Sequence, residues 1–204
     1  MKTKKRPTAE ARKQQIIAAA DLVLLDGGIE GFTVDQVIAR AQIAKGTVYN
    51  HYRNKDEMLA ELGIKALQLL LDRFTTATDA ENYSSKKIAA LCLACYDYYR
   101  EFPDYFELIS YMERPEFNIN YATHLKISQK IQRFTNDLIV HGQSRGEIKS
   151  EISPTLTGYI IWASCMGVVQ FVDSKKKLLT NHHEIDIRQL VTAYAEILTA
   201  GLKA

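Results

Sequence analysis

Three short patterns in the chain could do chemistry, and each demands a different setting. Cys92-Leu93-Ala94-Cys95 has the C-x-x-C spacing of a redox pair or of half a metal site. Gly142-Gln143-Ser144-Arg145-Gly146 has the G-x-S-x-G spacing of a serine nucleophile on a tight turn. The stretch from Phe32 to Leu59 reads FTVDQVIARAQIAKGTVYNHYRNKDEML. It sets lysines, hydroxyls and amides among apolar residues at helical spacing, which suits a helix that meets a nucleic acid.

The first two patterns stand in the wrong surroundings. Cys92 and Cys95 fall inside an apolar helical segment, where positions i and i+3 share a face and cysteine packs as a small hydrophobe. A redox pair opens a helix in a βαβ setting instead. A nucleophile elbow needs a strand before it, and a long helical segment precedes Gly142. The sequence also lacks a phosphate-binding G-x-x-x-x-G-K-[ST] loop and a dinucleotide G-x-G-x-x-G. No catalytic residue, metal ligand set or cofactor is therefore expected. A cysteine-based redox or metal sensor at Cys92 and Cys95 is kept as a minor alternative.

The elements that must position the third pattern are helices. Four prolines and ten glycines interrupt long segments of helical period, and no run alternates with period two. A basic arm, Lys2 to Arg6, precedes a first helix from Thr8 to the Gly27-Gly28 pair, a good C-cap. Thr33 and Gln36 make a T-x-x-Q capping box for a second short helix. A third is expected over Lys45 to Tyr52. Asn54 and Glu57 open a fourth that runs to about Thr76. Further helices are expected at Ser84–Arg100, Pro103–Glu113, Asn118–Arg145, Pro154–Val172 and Asp186–Lys203, which makes the fold all-α with about nine helices. Two short helices joined by a turn that carries an apolar residue, Ile43, form the helix-turn-helix pattern. Ile43 plugs the angle between them. Val48, Tyr49 and Tyr52 are expected to face back into the core, and Gly46 lets a backbone approach a phosphate without a β-carbon in the way.

Charge agrees. Residues 1–55 hold ten basic and five acidic groups, net +5, while the whole chain is only +2 and the remainder therefore −3. A basic front and an acidic back suit a polyanion partner at one end. The odd cysteine count fits free thiols in a reducing cytoplasm. The Lys-rich start has no apolar core of a secretory signal. The longest apolar run, Tyr159 to Val172, has 14 residues, which predicts a buried helix and no membrane span.

The order and spacing of these residues resemble the DNA-binding domain of the TetR family. Thr33, Val37, Ala41, Ile43, Gly46, Tyr49, His51, Tyr52, Lys55 and Leu59 stand at the family's signature positions or substitute for them closely. The resemblance covers about residues 10–60. Ile38, Gln42 and Ala44 depart from it, replacing a small alanine, a turn glycine and a capping Ser/Thr. The resemblance implies that Thr33, Tyr49, His51 and Lys55 contact phosphates, and that Lys45, Thr47 and Asn50 face base edges in the major groove, with the arm Lys2 to Arg6 along the backbone or in the minor groove. It divides the chain into a DNA-binding domain, 1–55, and an effector-binding and dimerisation domain, 56–204. It further implies a homodimer on a palindromic operator, released by a small-molecule effector, with the last two helices at the dimer interface. Aromatic and methionine residues suit a lipophilic or aromatic ligand: Tyr96, Tyr99, Phe106, Met112, Tyr121, Phe134, Trp162 and Met166. Action as an activator, or without a ligand, fits the same sequence.

Overall fold

The computed structural model describes residues 8–117 and 121–204, and the backbone alone for 121–123. The arm Lys2 to Arg6, the expected helix start at Asn118 and the Tyr121 side chain lie outside the described residues. Among those described there are nine α-helices, one π-helical turn and no strand; an isolated bridge pairs Ile148 with Lys203. The helices are α1 (Ala9–Gly31), α2 (Val34–Ala41), α3 (Lys45–Tyr49), α4 (Lys55–Asp79), α5 (Ser84–Glu101), α6 (Pro103–Met112), α7 (Tyr121–Ser144), α8 (Pro154–Lys177) and α9 (Ile187–Leu202). They fall into two compact units, the first Met1–Ala66 with Asp104–His124, the second Leu67–Pro103 with Leu125–Ala204. Helix α4 passes from one into the other between Ala66 and Leu67 without a break.

In the first unit, Thr8 caps α1 by accepting from the Ala11 N–H at 3.1 Å. The helix was expected to stop at Gly27-Gly28. Gly28 does leave helical geometry at φ 62°, ψ −171°, which glycine tolerates without strain. One more turn then follows to Gly31, because Ile29 and Phe32 bury their side chains there. Ile16, Ala20 and Leu24 of α1, Val37 of α2, Val48 beyond the turn and Met58, Leu59 and Leu62 of α4 close one core. Helix α6 belongs to this unit as well. Tyr105 donates its hydroxyl to Asp21 on α1 at 2.7 Å, and Lys65 on α4 donates to the Tyr105 oxygen at 2.7 Å and pairs with Asp21. Met112 lies over Gly63 of α4, where a β-carbon would come within 1.9 Å of its sulfur.

In the second unit, α5 packs on α8 and α9. Ile88, Leu91 and Tyr98 of α5, Ile161, Val169 and Val172 of α8, and Val191 and Ala195 of α9 are buried. Glu147 accepts from the Ser84 N–H at 2.7 Å, so a loop carboxylate caps α5 at the end where its dipole favours negative charge. Ser153 accepts from the Leu156 N–H at 3.4 Å, and Pro154 fills the first turn of α8 as the sequence predicts.

Helix α8 corrects one expectation. It does not stop at Val172 but runs to Lys177 and continues into the π-helical turn Leu178–His182. No cap stands at Val172, and Lys175, Lys176 and Lys177 suit a helix C-terminus. With its π-helical turn it is long and apolar enough to cross a membrane by length and composition, a test that a core helix also passes. In this fold its buried face packs against α5 and α9 instead.

Candidate nucleic-acid interface

The site is built from α2, a three-residue turn and α3. Thr33 and Gln36 close the capping box in both directions: the Gln36 N–H donates to Thr33 Oγ1 at 3.3 Å, and the Thr33 N–H donates to Gln36 Oε1 at 3.1 Å. Two otherwise unpaired helix-end donors are satisfied. Val37 and Ala41 face inward. The Gln15 side chain of α1 donates to the Ala41 carbonyl at 2.9 Å, fixing the end of α2.

The turn is made by Gln42, Ile43 and Ala44. Gln42 takes the left-handed conformation, φ 54°, ψ 42°, at the place where the family resemblance has glycine. A side chain there costs about 1 kcal/mol against glycine. Ile43 is 7% exposed and plugs the angle between the helices, which stabilises the unit by roughly 1.5–3 kcal/mol. Ala44 caps α3 with backbone only: its carbonyl accepts from the Thr47 N–H at 2.9 Å and the Val48 N–H at 3.3 Å.

Helix α3 is shorter than expected, ending at Tyr49 where the sequence reading ran to Tyr52. The Tyr52 and His51 N–H groups both turn back to the Val48 carbonyl at 3.0 Å, tightening the last turn. Val48 and Tyr52 anchor it from below. Tyr52 donates to Glu61 on α4 at 2.9 Å, and Lys13 on α1 meets the same carboxylate at 2.8 Å. Burial, then the Glu61 hydrogen bond, holds the Tyr52 phenol well above its usual range, so it stays protonated. Tyr49 corrects the third inward assignment. It is 43% exposed, on the outer side of α3 with the Lys45 ammonium 5.8 Å from its ring centroid.

The unit therefore leaves Thr33, Lys45, Gly46, Tyr49 and Asn50 exposed, with Thr47 and His51 half-buried. Lys45 pairs with Asp35 at 3.2 Å, both largely exposed, so the pair contributes little to stability. A β-carbon at Gly46 would meet nothing within 4 Å, so the protein's own packing does not require glycine there. Lys55 is engaged inside the unit: it donates to the Ile29 carbonyl at 2.8 Å and lies 5.9 Å from the Phe32 ring centroid. That contact spans 26 positions, and nothing local in the sequence signals it.

A family profile described as "Bacterial regulatory proteins, tetR family" matches residues 16–62, the core of this unit. Residues 16–62 thus match the DNA-binding domain of the TetR family. Among its relatives, the HTH-type transcriptional regulator SrpR of Pseudomonas putida is 26% identical over 69% of this chain and 65% of its own length. The first curated relatives are matched over less than two thirds of their length, down to 35% for the Transposon Tn10 TetC protein of Escherichia coli. The whole fold has solved counterparts. A Rhodococcus protein of unknown function superposes with a TM-score of 0.77 over 100% of both chains at 16% identity. The transcriptional regulator FadR from Bacillus subtilis, solved with stearoyl-CoA, superposes with 0.69 over 93% of this chain and 98% of that one at 19% identity.

Tyr96 and Met166 are buried in the second unit, and Tyr99, Phe134 and Trp162 are half-buried there. The Tyr99 hydroxyl donates to Asp173, and burial followed by that bond pushes its phenol up to about 12. Phe106 and Met112 are buried in the first unit. These side chains thus belong to two units. An open groove of about 490 Å³ on the first unit is lined by Val23, Asp26, Gly27, Gln36, Ala39, Arg40 and Gln42, none of them a ligand candidate. The G-x-S-x-G pattern closes α7, with Ser144 donating to the His141 carbonyl at 2.8 Å, so the strand an elbow needs is replaced by a helix. The relatives SrpR and FadR are named as transcriptional regulators.

Proposed function

We propose that the protein is a DNA-binding transcriptional regulator, a repressor that grips a palindromic operator as a homodimer and is released by a small lipophilic effector. The observation that carries the reading is the exposure of Thr33, Lys45, Gly46, Tyr49 and Asn50 around a turn whose Ile43 is buried. Lys45, Thr47 and Asn50 would face base edges; Thr33, Tyr49, His51 and Lys55 would meet phosphates. Gly46, free of packing duties, would let the sugar–phosphate backbone come close.

Dimerisation is supported by an unpartnered apolar stripe. Leu156, Tyr159, Ile160 and Phe171 on α8 are each at least half exposed, and Ile197 on α9 is 75% exposed. Gly167 is open, as a close helix approach requires, whereas Gly158 is filled from within, a β-carbon there lying 2.6 Å from Gln132 Nε2. An effector with an acyl chain fits the relative solved with stearoyl-CoA. Two features would pass its binding to the DNA-reading helix: the continuity of α4, and the seating of α6 on α1 and α4 through Tyr105, Lys65 and Met112. Recognition helices about 34 Å apart fit successive major grooves, so a shift of a few ångströms abolishes the match.

The test is selection from a random duplex pool at fixed salt, followed by titration of the selected duplex with stearoyl-CoA and with phenolic and steroid probes. A two-fold-symmetric product displaced by a lipophilic probe is the expected result. A folded protein that enriches no sequence would overturn the reading, and a symmetric product that no probe displaces would remove the effector from it.

A further inference from the structure

A carboxylate stands among the side chains that would meet DNA. Asp35 lies in the first turn of α2, and it pairs with the Lys45 ammonium at the start of α3, 3.2 Å away across the turn. The Lys45 and Asp35 side chains are 64% and 78% exposed, so the pair is not a packing device. An exposed pair of this kind contributes little to stability. Capping of α2 is complete without Asp35, since Thr33 and Gln36 close the box between themselves. The Lys45 ammonium also lies 5.8 Å from the Tyr49 ring centroid, so it is held from two sides. The fold thus presents a donor and an acceptor side by side at the surface. Beside phosphates such a carboxylate is unfavourable, because it repels them and occupies a lysine that could meet one. Beside a base edge it has a use. In the major groove a G·C pair shows the guanine acceptors N7 and O6 and then the cytosine N4 amine, a donor. O6 and N4 are partners in one Watson–Crick hydrogen bond, so they lie about 2.9 Å apart, the ordinary N–H···O distance. The 3.2 Å spacing of Asp35 and Lys45 matches that edge with donor and acceptor exchanged.

We propose, resting on the DNA-binding reading of this surface, that Asp35 is a specificity-determining residue: its carboxylate accepts from a cytosine N4 amine while Lys45 donates to O6 and N7 of the paired guanine. Each half-site then holds a G·C pair read by both members of one ion pair. Discrimination works by exclusion as well as by attraction. Where a base pair puts an acceptor in the place of N4, the carboxylate loses water and meets a lone pair, which costs more than a missing hydrogen bond. Asp35 also keeps Lys45 from neighbouring phosphates, which holds down binding to unrelated sequences.

The test selects duplexes with wild type and with Asp35→Ala at one salt concentration. It then measures affinity for the wild-type product and for the same duplex with N4-methylcytosine at each conserved G·C pair in turn. The methyl group leaves the base pair intact and covers the groove-side hydrogen of the amine. Wild type is expected to enrich a G·C pair in each half-site and to bind the duplex methylated there roughly five- to hundredfold more weakly. Asp35→Ala is expected to lose its preference at that position alone and to bind the plain and methylated duplexes equally. It should also bind unrelated duplexes more tightly, with a salt slope steeper by about one unit as Lys45 turns to a phosphate. Asp35→Asn is expected to admit A·T at the same position, because an amide pairs with adenine N6 and N7. It keeps the shape of the side chain and serves if Asp35→Ala does not fold, which circular dichroism checks. A symmetric product that lacks the G·C pair, that Asp35→Ala selects equally, or that binds wild type as well when methylated overturns the role of Asp35 and leaves the DNA-binding reading standing. Selection of no sequence by folded wild type overturns both.

Discussion

The two units solve the problem of holding helices together by different means. The first depends on local devices: a closed capping box at Thr33, a left-handed Gln42, and one plug, Ile43. The second depends on contacts between distant segments. Glu147 caps α5 from 63 positions away, and Gly142 lets Ser84 lie directly against α7. The first kind of order can be read along the chain; the second exists only once the chain has folded. In the proposed function the same division separates specificity from assembly: short, locally determined helices would present side chains to DNA, while long helices with non-local packing would carry the partner surface.

The hardest way to strain this contrast is to remove the plug. Ile43→Ala leaves a cavity at the turn between α2 and α3, and a loss of about 2–5 kcal/mol is expected. Urea unfolding followed by limited proteolysis should show the first unit opening while α5, α8 and α9 stay protected. Uniform loss across both units would mean that the local devices do not act alone.

The matching test in the second unit is Gly142→Val. A β-carbon at 142 would lie 2.6 Å from Ile148 Cδ1 and 2.7 Å from Ser84 Cβ, so the loop or α5 must move. Overpacking of this kind costs about 1–3 kcal/mol. The thermal midpoint should fall while binding to a selected duplex, measured well below that midpoint, keeps its affinity.

A smaller, pH-dependent effect attaches to Glu147→Gln. Hydrogen bonds from Ser84, and then Arg145, hold the Glu147 carboxyl at about 2, below its ordinary 4.5. Because the folded value is depressed, the stabilisation is complete above the unfolded value and fades as pH falls from about 4.5 towards 2. Wild type should lose stability through that window more steeply than Glu147→Gln, and the two curves should run closer together at the acid end. Parallel curves would show that the α5 cap contributes nothing.

What the sequence disclosed follows the same line. Both capping patterns, the plug and the all-helical fold were legible because each lies within a few residues. Even there one detail shifted: Asn54 caps Glu57, but the Glu57 carboxylate reaches back to the Arg53 N–H at 2.7 Å, one residue early. The outward turn of Tyr49 was hidden because helical period alone cannot tell a short helix's inner face from its flank. The Ile29 carbonyl that holds Lys55 and the seating of α6 with the first unit both join distant positions. No spacing rule reaches them.

The smallest expected effect probes the recognition helix itself. Five residues are too few to be stable as an isolated helix, so α3 persists because Val48 and Tyr52 are buried beneath it. Ala44 offers no side-chain oxygen to its first N–H groups. Ala44→Ser would supply one to Gly46 or Thr47 and raise stability by about 1 kcal/mol. Thermal unfolding measures the gain, and a salt titration of duplex binding shows whether the added hydroxyl also meets a phosphate. A gain well beyond ~2 kcal/mol exceeds what a single cap supplies. It would mean that α3 is frayed in the wild type and that its core anchors are weaker than their burial implies. The contrast between a locally braced first unit and a non-locally packed second one would then have to be redrawn.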